Sequence, residues 1–145
     1  MMVWLFNKEL KNVVVVLGVL MMVSGCATSS YKTAEEIVAS RAQEYQNALL
    51  TANYEQAYQY LSPGYRETAS YKVYLAGKGG AIKREAASVK SVSCEGRVCD
   101  VKINLIYRYA GRASIHIPKS AEPMQRVFQE KWIEADGVWW LYLEK

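Results

Sequence analysis

The stretch from Cys99 to Tyr109 constrains the fold most, because apolar and polar residues alternate along it with a period of two. Successive side chains of a β-strand point to opposite faces of the sheet, so this pattern predicts a strand with one buried and one solvated face. Tyr107 and Tyr109 belong to the apolar set and are expected to point inward. The strand then needs neighbours, and turn signals in the flanking sequence indicate where they lie.

Two cysteines flank the first of these turns. If Gly96-Arg97 is a two-residue turn with glycine first, Cys94 faces Cys99 at a pair of positions that exchange no backbone hydrogen bonds, where the sulfurs are close. The sequence therefore predicts a Cys94–Cys99 disulfide in an oxidising compartment. Redox catalysis and metal binding are the alternatives. A redox pair usually has two intervening residues, whereas four separate these cysteines.

The second turn signal is Asp136-Gly137, which favours a hairpin between strands at 125–135 and 138–143. A further, irregular strand with a bulge is expected from Ala86 to Cys94, immediately before the first turn. Together with Cys99–Tyr109, these segments predict four strands in two hairpins.

Helical periodicity precedes the strands. Thr33 followed by Glu36 fits a capping box and predicts a helix over 34–51. Shorter helices are expected at 54–61, where Ser62-Pro63-Gly64 would end the helix, and at 70–76. The resulting prediction is a single α+β domain over residues 33–145, with three N-terminal helices packed on a curved, mainly antiparallel four-stranded sheet.

The first 25 residues predict an export signal. A basic head precedes an apolar run of 11 residues from Val13 to Val23, and a membrane-spanning helix needs about 20. Val23-Ser24-Gly25-Cys26 resembles the bacterial lipobox, in which the cysteine receives a diacylglycerol anchor. We therefore expect residues 1–25 to be a lipoprotein signal peptide, Cys26 to carry the lipid and 26–32 to form a tether. Ordinary cleavage near Ala27 is the alternative.

The residue after Cys26 bears on the destination of the chain. Ala27 replaces the aspartate that usually retains lipoproteins at the inner membrane of enteric bacteria. The expected location is the bacterial envelope, at the periplasmic face of the outer membrane, with the membrane contacted through the lipid anchor.

Composition excludes several function classes. The 145 residues include 18 Lys and Arg against 14 Asp and Glu, a net charge of +4, which is too mild for a nucleic-acid binder. Three cysteines and one histidine cannot form a four-ligand zinc site without carboxylates. The chain has no phosphate-binding loop. We expect neither a metal nor a cofactor.

Two segments resemble nuclear transport factor 2-like domains, the superfamily that includes the ketosteroid isomerases. They are Ala48–Pro63, with its Asn-Tyr, Ala-Tyr and Leu-Ser-Pro sequence, and Glu130–Leu141, with an Asp-Gly turn followed by tryptophan. The resemblance implies a cone-shaped sheet around helices. It also implies that the chain could be an enzyme or a pure binding domain, and that homodimers are common.

A few residues could line the interior of such a cone and contact a ligand. Glu130 shares a strand face with Phe128 and Trp132, and with Tyr107 it is the candidate for a catalytic pair. His116 lies in an irregular connection. Core packing is the simpler interpretation of the aromatic residues. For Glu130, the simpler interpretation is that its side chain is exposed to solvent. The candidate pocket residues are Tyr45, Tyr58, Tyr107, Tyr109, Phe128 and Trp132.

The sequence thus predicts a lipid-anchored, non-catalytic binding or assembly domain of the envelope, with a protein partner, a second copy of the chain or a small ligand. One alternative is an isomerase- or dehydratase-like enzyme that uses a carboxylate in the pocket. Another is a small subunit of a secretion or envelope machine.

Overall fold

Residues 31–78, 82–109 and 122–143 are described by a computed structural model. The helices and strands described below belong to a compact unit that begins at Lys32. Cys26, the predicted signal peptide and His116 lie outside the described residues.

Helix α1 (Ala34–Leu50) begins with the predicted capping box. The Thr33 side chain accepts a hydrogen bond from the Glu36 backbone N–H at 3.2 Å, and the Glu36 carboxylate accepts one from the Thr33 N–H at 3.0 Å. These two bonds satisfy amide groups that have no partner inside the helix. The buried face of α1 carries Val38, Ala42, Tyr45, Gln46, Ala48 and Leu49.

Three short helices follow: α2 (Tyr54–Tyr58), α3 (Pro63–Thr68) and α4 (Tyr71–Ala76). The prediction of three helices is wrong, because Ser62-Pro63 begins a helix instead of only ending one. The Ser62 side chain accepts a hydrogen bond from the Tyr65 N–H, and proline fits the first helical position because its missing N–H would be unpaired there.

The sheet contains β1 (Ile82–Glu95), β2 (Val98–Tyr109), β3 (Met124–Ala135) and β4 (Val138–Tyr142). The strands pair in chain order, each antiparallel to the next. The irregularity expected in β1 is present, since the register shifts between Arg84 and Ala86 and again between Val89 and Ser91.

Both predicted hairpins are present, and so is the disulfide. Cys94 pairs with Cys99 across the turn at Gly96, with 4.0 Å between their Cα atoms. Gly96 has φ +58, as glycine allows at the first position of this turn. In the other turn both Asp136 and Gly137 have positive φ. Cys99 is fully buried, so the bridge fastens the hairpin to the core.

The expected cone of three helices inside a curved sheet is wrong. Within the described residues, four helices precede the sheet, and its order β1-β2-β3-β4 is an open series in which β1 and β4 do not pair. Most of the buried helical residues in the core shared with the sheet belong to helix α1. Near Leu61, the segment after α2 instead lies beside β4, with a parallel bridge between Leu61 and Leu141.

The core lies between α1 and one face of the sheet. Trp132, Leu61 and Ile103 are among its fully buried side chains. Of β3, only Lys131–Ala135 pairs with β4, so among the described residues the part of β3 from Met124 to Glu130 pairs on one side alone, with β2. The main candidate site lies at Glu130, at one end of this unpaired edge of β3.

Candidate functional site

A buried carboxylate, Glu130, is the centre of the candidate site. It lies on β3, two residues before Trp132, and the alternation of the strand turns both side chains toward the core. Only 9% of Glu130 is exposed, and Trp132 is fully buried. A buried carboxylate needs hydrogen-bond donors, because removal from water penalises its charged form.

Two fixed donors hold the two oxygens of Glu130. The Gln46 amide of α1 donates to Oε1 at 2.6 Å, and the Trp132 indole N–H donates to Oε2 at 3.2 Å. Arg84 of β1 in turn donates to the Gln46 carbonyl oxygen at 3.3 Å. Arginine has only donors, so it orients the Gln46 amide with its NH₂ group toward Glu130. The chain of contacts therefore links β1, α1 and β3.

Burial raises the pKa of Glu130 from 4.5 to about 7. The Trp132 indole, the cations Arg84 and Lys78 and the Gln46 amide all lower it, but together they offset burial only partly. The pKa of Lys78 is itself lowered, chiefly by burial and then by Arg84. Near neutral pH the site therefore holds a carboxyl group that can take up or release a proton.

A cavity of about 510 Å³ opens beside Glu130, where β4 ends. Lys78 and Arg84 line it, as do Asp100 and Lys131, which pair across β2 and β3. The apolar part of the wall includes Leu49, Phe128, Leu141 and Leu143. Such a cavity combines an apolar surface with a few polar groups, as small-molecule sites do.

Two buried tyrosines lie close to this site. Burial raises the pKa of Tyr45 well above 10, and the neighbouring Tyr74 and Glu130 raise it further. Burial likewise raises the pKa of Tyr74 to about 12. The Tyr74 hydroxyl makes no hydrogen bond to the described residues. Both phenols therefore stay protonated at neutral pH, and only Tyr45 lines the cavity.

The structure distributes the predicted pocket residues over several places. Tyr45 and Phe128 line the Glu130 cavity, whereas Tyr107 and Tyr109 line a second cavity of about 360 Å³ that also contacts Phe128. Tyr58 lines neither. Its hydroxyl donates to the Ala69 carbonyl at 2.8 Å, and its ring packs against Tyr71 and Tyr74. Trp132 belongs to the core and contributes its indole N–H to Glu130.

Glu130 and Tyr107 do not form a pair. Glu130 lies opposite Val101, whereas Tyr107 lies opposite Met124. The six residue steps from Met124 to Glu130 correspond to about 20 Å along an extended strand. Tyr107 is therefore not a hydrogen-bond partner of Glu130.

Sequence reasoning missed Gln46, Arg84 and Lys78 as neighbours of Glu130. A polar residue at position 46 among the apolar positions of α1 is a usable signal, because Gln46 is only 1% exposed and such a residue needs a buried partner. Arg84 gives no comparable signal, since its direction depends on the register shift at the next residues of β1.

The described residues contain no group of three or more His, Cys, Asp or Glu side chains that could hold a metal ion. None of the helices in residues 31–78 is long and apolar enough to cross a membrane.

No family model and no curated protein matches the chain. The structure is similar to the solution structure of a SEC-C motif containing protein from Rhodopseudomonas palustris, with a TM-score of 0.53. The two chains are 14% identical, and the match covers 70% of this chain and 72% of the other. At this identity the likeness concerns the fold alone.

The resemblance to nuclear transport factor 2-like domains is therefore wrong. No family model supports it, and the solved structure reported above is that of a SEC-C motif protein. Ala48–Pro63 contains the end of α1, the short helix α2 and the start of α3, and Glu130–Leu141 is a hairpin; many α+β folds can contain such elements.

Proposed function

We propose that the chain is a lipid-anchored binding domain of the bacterial envelope, and that its Glu130 cavity takes an amino-acid-like small molecule. The ligand would place an amine near Glu130, a carboxylate near Arg84 and Lys78, and an apolar side chain against Phe128 and Leu49. The observation that carries this proposal is a buried carboxylate with two cations in one half-apolar cavity of about 510 Å³.

The arrangement of charges supports such a ligand. Glu130 retains acceptor capacity beyond its bonds to Gln46 and Trp132, since an ionised carboxylate offers about four lone-pair positions. Arg84 and Lys78 both act electrostatically on Glu130, so the three groups are close together. A ligand with both an amine and a carboxylate complements them, whereas a ligand with one charge leaves part of the cavity unmatched.

The anchor and the location are part of the proposal. The lipobox-like sequence before Cys26 supports lipidation, and the disulfide is typical of an oxidising compartment such as the periplasm. Mass spectrometry of the chain purified from envelope membranes should find Cys26 as the first residue with a diacylglyceryl group. The Cys26→Ala chain should lack this modification. An unmodified N-terminus at Ala27 or beyond would contradict the anchor.

Ligand binding can be tested on the full chain in neutral detergent by following the Trp132 indole N–H resonance. Phenylalanine should shift it saturably, and both phenethylamine and phenylpropionate should bind at least about tenfold more weakly, because each lacks one charge-assisted hydrogen bond. Glu130→Gln should weaken phenylalanine binding, whereas Glu67→Gln, on the exposed side of α3, serves as the matched control. Equal shifts in both variants would contradict the proposal.

One observation favours a second candidate, the isomerase- or dehydratase-like enzyme. A carboxyl group with a pKa of about 7 is suited to general acid–base catalysis near neutral pH. Conversion of a cyclic β,γ-unsaturated ketone into its conjugated isomer, followed by ultraviolet absorbance, tests it. Glu130→Gln should then abolish turnover and leave the melting temperature at pH 5 nearly unchanged. Equal turnover in the variant would exclude Glu130 as the base.

A protein partner or a role as a subunit of an envelope machine is tested separately. Crosslinking of the lipidated chain in envelope membranes, followed by purification, should recover it alone or as a homodimer if small-molecule binding is its main role. A partner in fixed stoichiometry would favour the assembly role.

A further inference from the structure

A third cavity, of about 390 Å³, lies beside Trp140 and is called the Trp140 cavity; it shares no lining residue with the Glu130 cavity. Its wall contains two arginines, Arg41 of α1 and Arg66 of α3, together with the rings of Tyr60 and Trp140. Gln56, Gln59 and Val138 complete it. No acidic residue is among them.

Aromatic rings hold both guanidinium groups. The Arg41 Cζ atom lies 5.2 Å from the Tyr60 ring centroid and 5.6 Å from that of Trp140. The Arg66 Cζ atom lies 5.3 Å from the same Trp140 ring. Cation–π contacts at these distances fix the position of an arginine without neutralising its charge.

Much of the hydrogen-bonding capacity of the two arginines is unused. Arg41 Nε donates to the Trp139 carbonyl at 2.7 Å, and Arg66 Nη1 donates to the Gln59 side chain at 2.9 Å. Neither Nη atom of Arg41 donates to another described residue, nor does Nη2 of Arg66. Arg66 Nε is buried and has no hydrogen-bond acceptor among the described residues. Two arginines that are held in position and still have N–H groups able to donate are suited to binding an anion.

Internal ion pairs do not compensate these charges. Within residues 31–78, 82–109 and 122–143, the ion pairs join Arg97 to Glu134 and Arg108 to Glu85. Glu44 of α1 is the acidic group in contact with this cluster, through a hydrogen bond from Tyr60 at 2.9 Å, and among the described residues it forms no ion pair with either arginine. The cavity therefore has two cations and no anion among its lining residues.

We propose that this cavity binds the phosphate group of an anionic ligand, with Arg41 and Arg66 as its donors. A phosphate suits two arginines better than a carboxylate does, because its several oxygens can accept from both guanidinium groups at once. The phosphate could belong to a free phosphate ester or to a phospholipid head group. This site is independent of the Glu130 cavity and of the ligand proposed there.

The first measurement follows the Trp140 indole N–H resonance of the full chain in neutral detergent during titration with inorganic phosphate at constant ionic strength. Trp140→Phe assigns the resonance. Phosphate should shift it saturably, whereas chloride and acetate should shift it at least about tenfold more weakly. A phosphate response that does not saturate, or that equals the chloride response, would overturn the proposal.

Variants attribute the response to the arginines. Arg66→Gln should weaken phosphate binding by about tenfold or more, and Arg97→Gln, which removes an exposed arginine from the turn after β1, should leave it unchanged. An unchanged Trp132 indole resonance in each variant shows that the core is intact. If Arg66→Gln does not fold, Arg41→Lys is the second variant, since lysine keeps the charge but loses the planar donor pair. Unchanged binding in a folded variant would overturn the proposal.

Two probes distinguish the sources of the phosphate. Glycerol 1-phosphate represents a soluble phosphate ester, and dihexanoylphosphatidylglycerol below its micelle-forming concentration represents a head group without a membrane. Tighter binding of the former supports a soluble ligand, and tighter binding of the latter supports a lipid. If neither shifts the Trp140 resonance, the proposal that the cavity binds the phosphate group of an ester or a lipid is overturned.

Discussion

The Glu130 cavity and the Trp140 cavity treat charge in opposite ways. Around Glu130 a buried acid lies close to Arg84 and Lys78, so the charges compensate one another within the protein. Around Trp140 two arginines lie against aromatic rings, and no acid lines the cavity.

The difference shows two ways of keeping a polar group near a core. Compensation within the protein makes each group dependent on its neighbours, because removal of one leaves another buried and unpaired. An arginine stacked on an aromatic ring depends less on its neighbours, because it keeps its charge and can still donate hydrogen bonds from its outer N–H groups. The first cavity is therefore expected to be sensitive to mutation and pH, and the second tolerant of both.

The two tryptophans at these cavities give the largest contrast. Trp132→Ala should lower the free energy of unfolding by about 3–5 kcal/mol, because it removes a fully buried ring and a donor to Glu130. Trp140→Ala removes a partly exposed ring and should lower it by about 1–2 kcal/mol. Urea unfolding followed by circular dichroism measures both. Equal losses of unfolding free energy in the two variants would contradict the difference expected between the two cavities.

The pH dependence of stability gives the next effect. Below pH 4.5 both folded and unfolded chains protonate Glu130. Between about pH 4.5 and 7 only the folded chain keeps the proton, so the free energy of unfolding falls as the pH rises. Above pH 7 the loss reaches about 3 kcal/mol.

Glu130→Gln should remove this contribution, because glutamine imitates the neutral carboxyl group. The difference in unfolding free energy between wild type and variant, measured from pH 4 to 8, isolates it from other groups. Glu67→Gln should leave the wild-type pH dependence unchanged. The assignment would fail if the Glu130→Gln chain retained the full slope.

Gln46→Leu is expected to have a smaller effect that depends on pH. The substitution removes the 2.6 Å hydrogen bond to Glu130, so the pKa of Glu130 should rise above 7. Stability at pH 8 should fall by about 2 kcal/mol, with a smaller change at pH 5, where Glu130 is protonated. Carbon-13 NMR of the carboxyl group measures the pKa. A pKa that stays at or below 7 would show that Gln46 does not stabilise the carboxylate.

The smallest effect is expected at Arg66. Arg66→Gln should change the free energy of unfolding by less than about 1 kcal/mol, because its stacking on Trp140 is partly exposed and no acid depends on its charge. Arg97→Gln is the matched control, and thermal unfolding measures both. A loss of several kcal/mol would instead make Arg66 a structural part of the α3–β4 contact.

Local signals predicted much of the backbone. The capping box at Thr33, both turns and the disulfide follow from residues close together in the sequence. Such features form where the local sequence and the final fold agree. The error at Ser62-Pro63 is also local, because the same residues are typical of a helix end and of a helix start.

The arrangement of the helices and the partners in both cavities could not be predicted in this way. The alternation of β3 placed Glu130 with Phe128 and Trp132, but its contact with Gln46 joins residues 84 positions apart. Likewise, Trp140 meets Arg66 only because Leu61 lies beside β4. The alternation along one strand predicts which face of the sheet a residue lies on. Which side chains of other elements contact that residue depends on how the elements pack together.

The bridge between Leu61 and Leu141 also has a consequence for the order in which the chain can fold. Backbone hydrogen bonds join Ser62 to Leu141 and Leu141 to Tyr60, across about 80 residues of sequence. A chain that emerges N-terminus first therefore has its early helices available long before their partner strand exists. Native assembly must wait for β4, and until β4 has been made the apolar surface around Leu61 is exposed to chaperones.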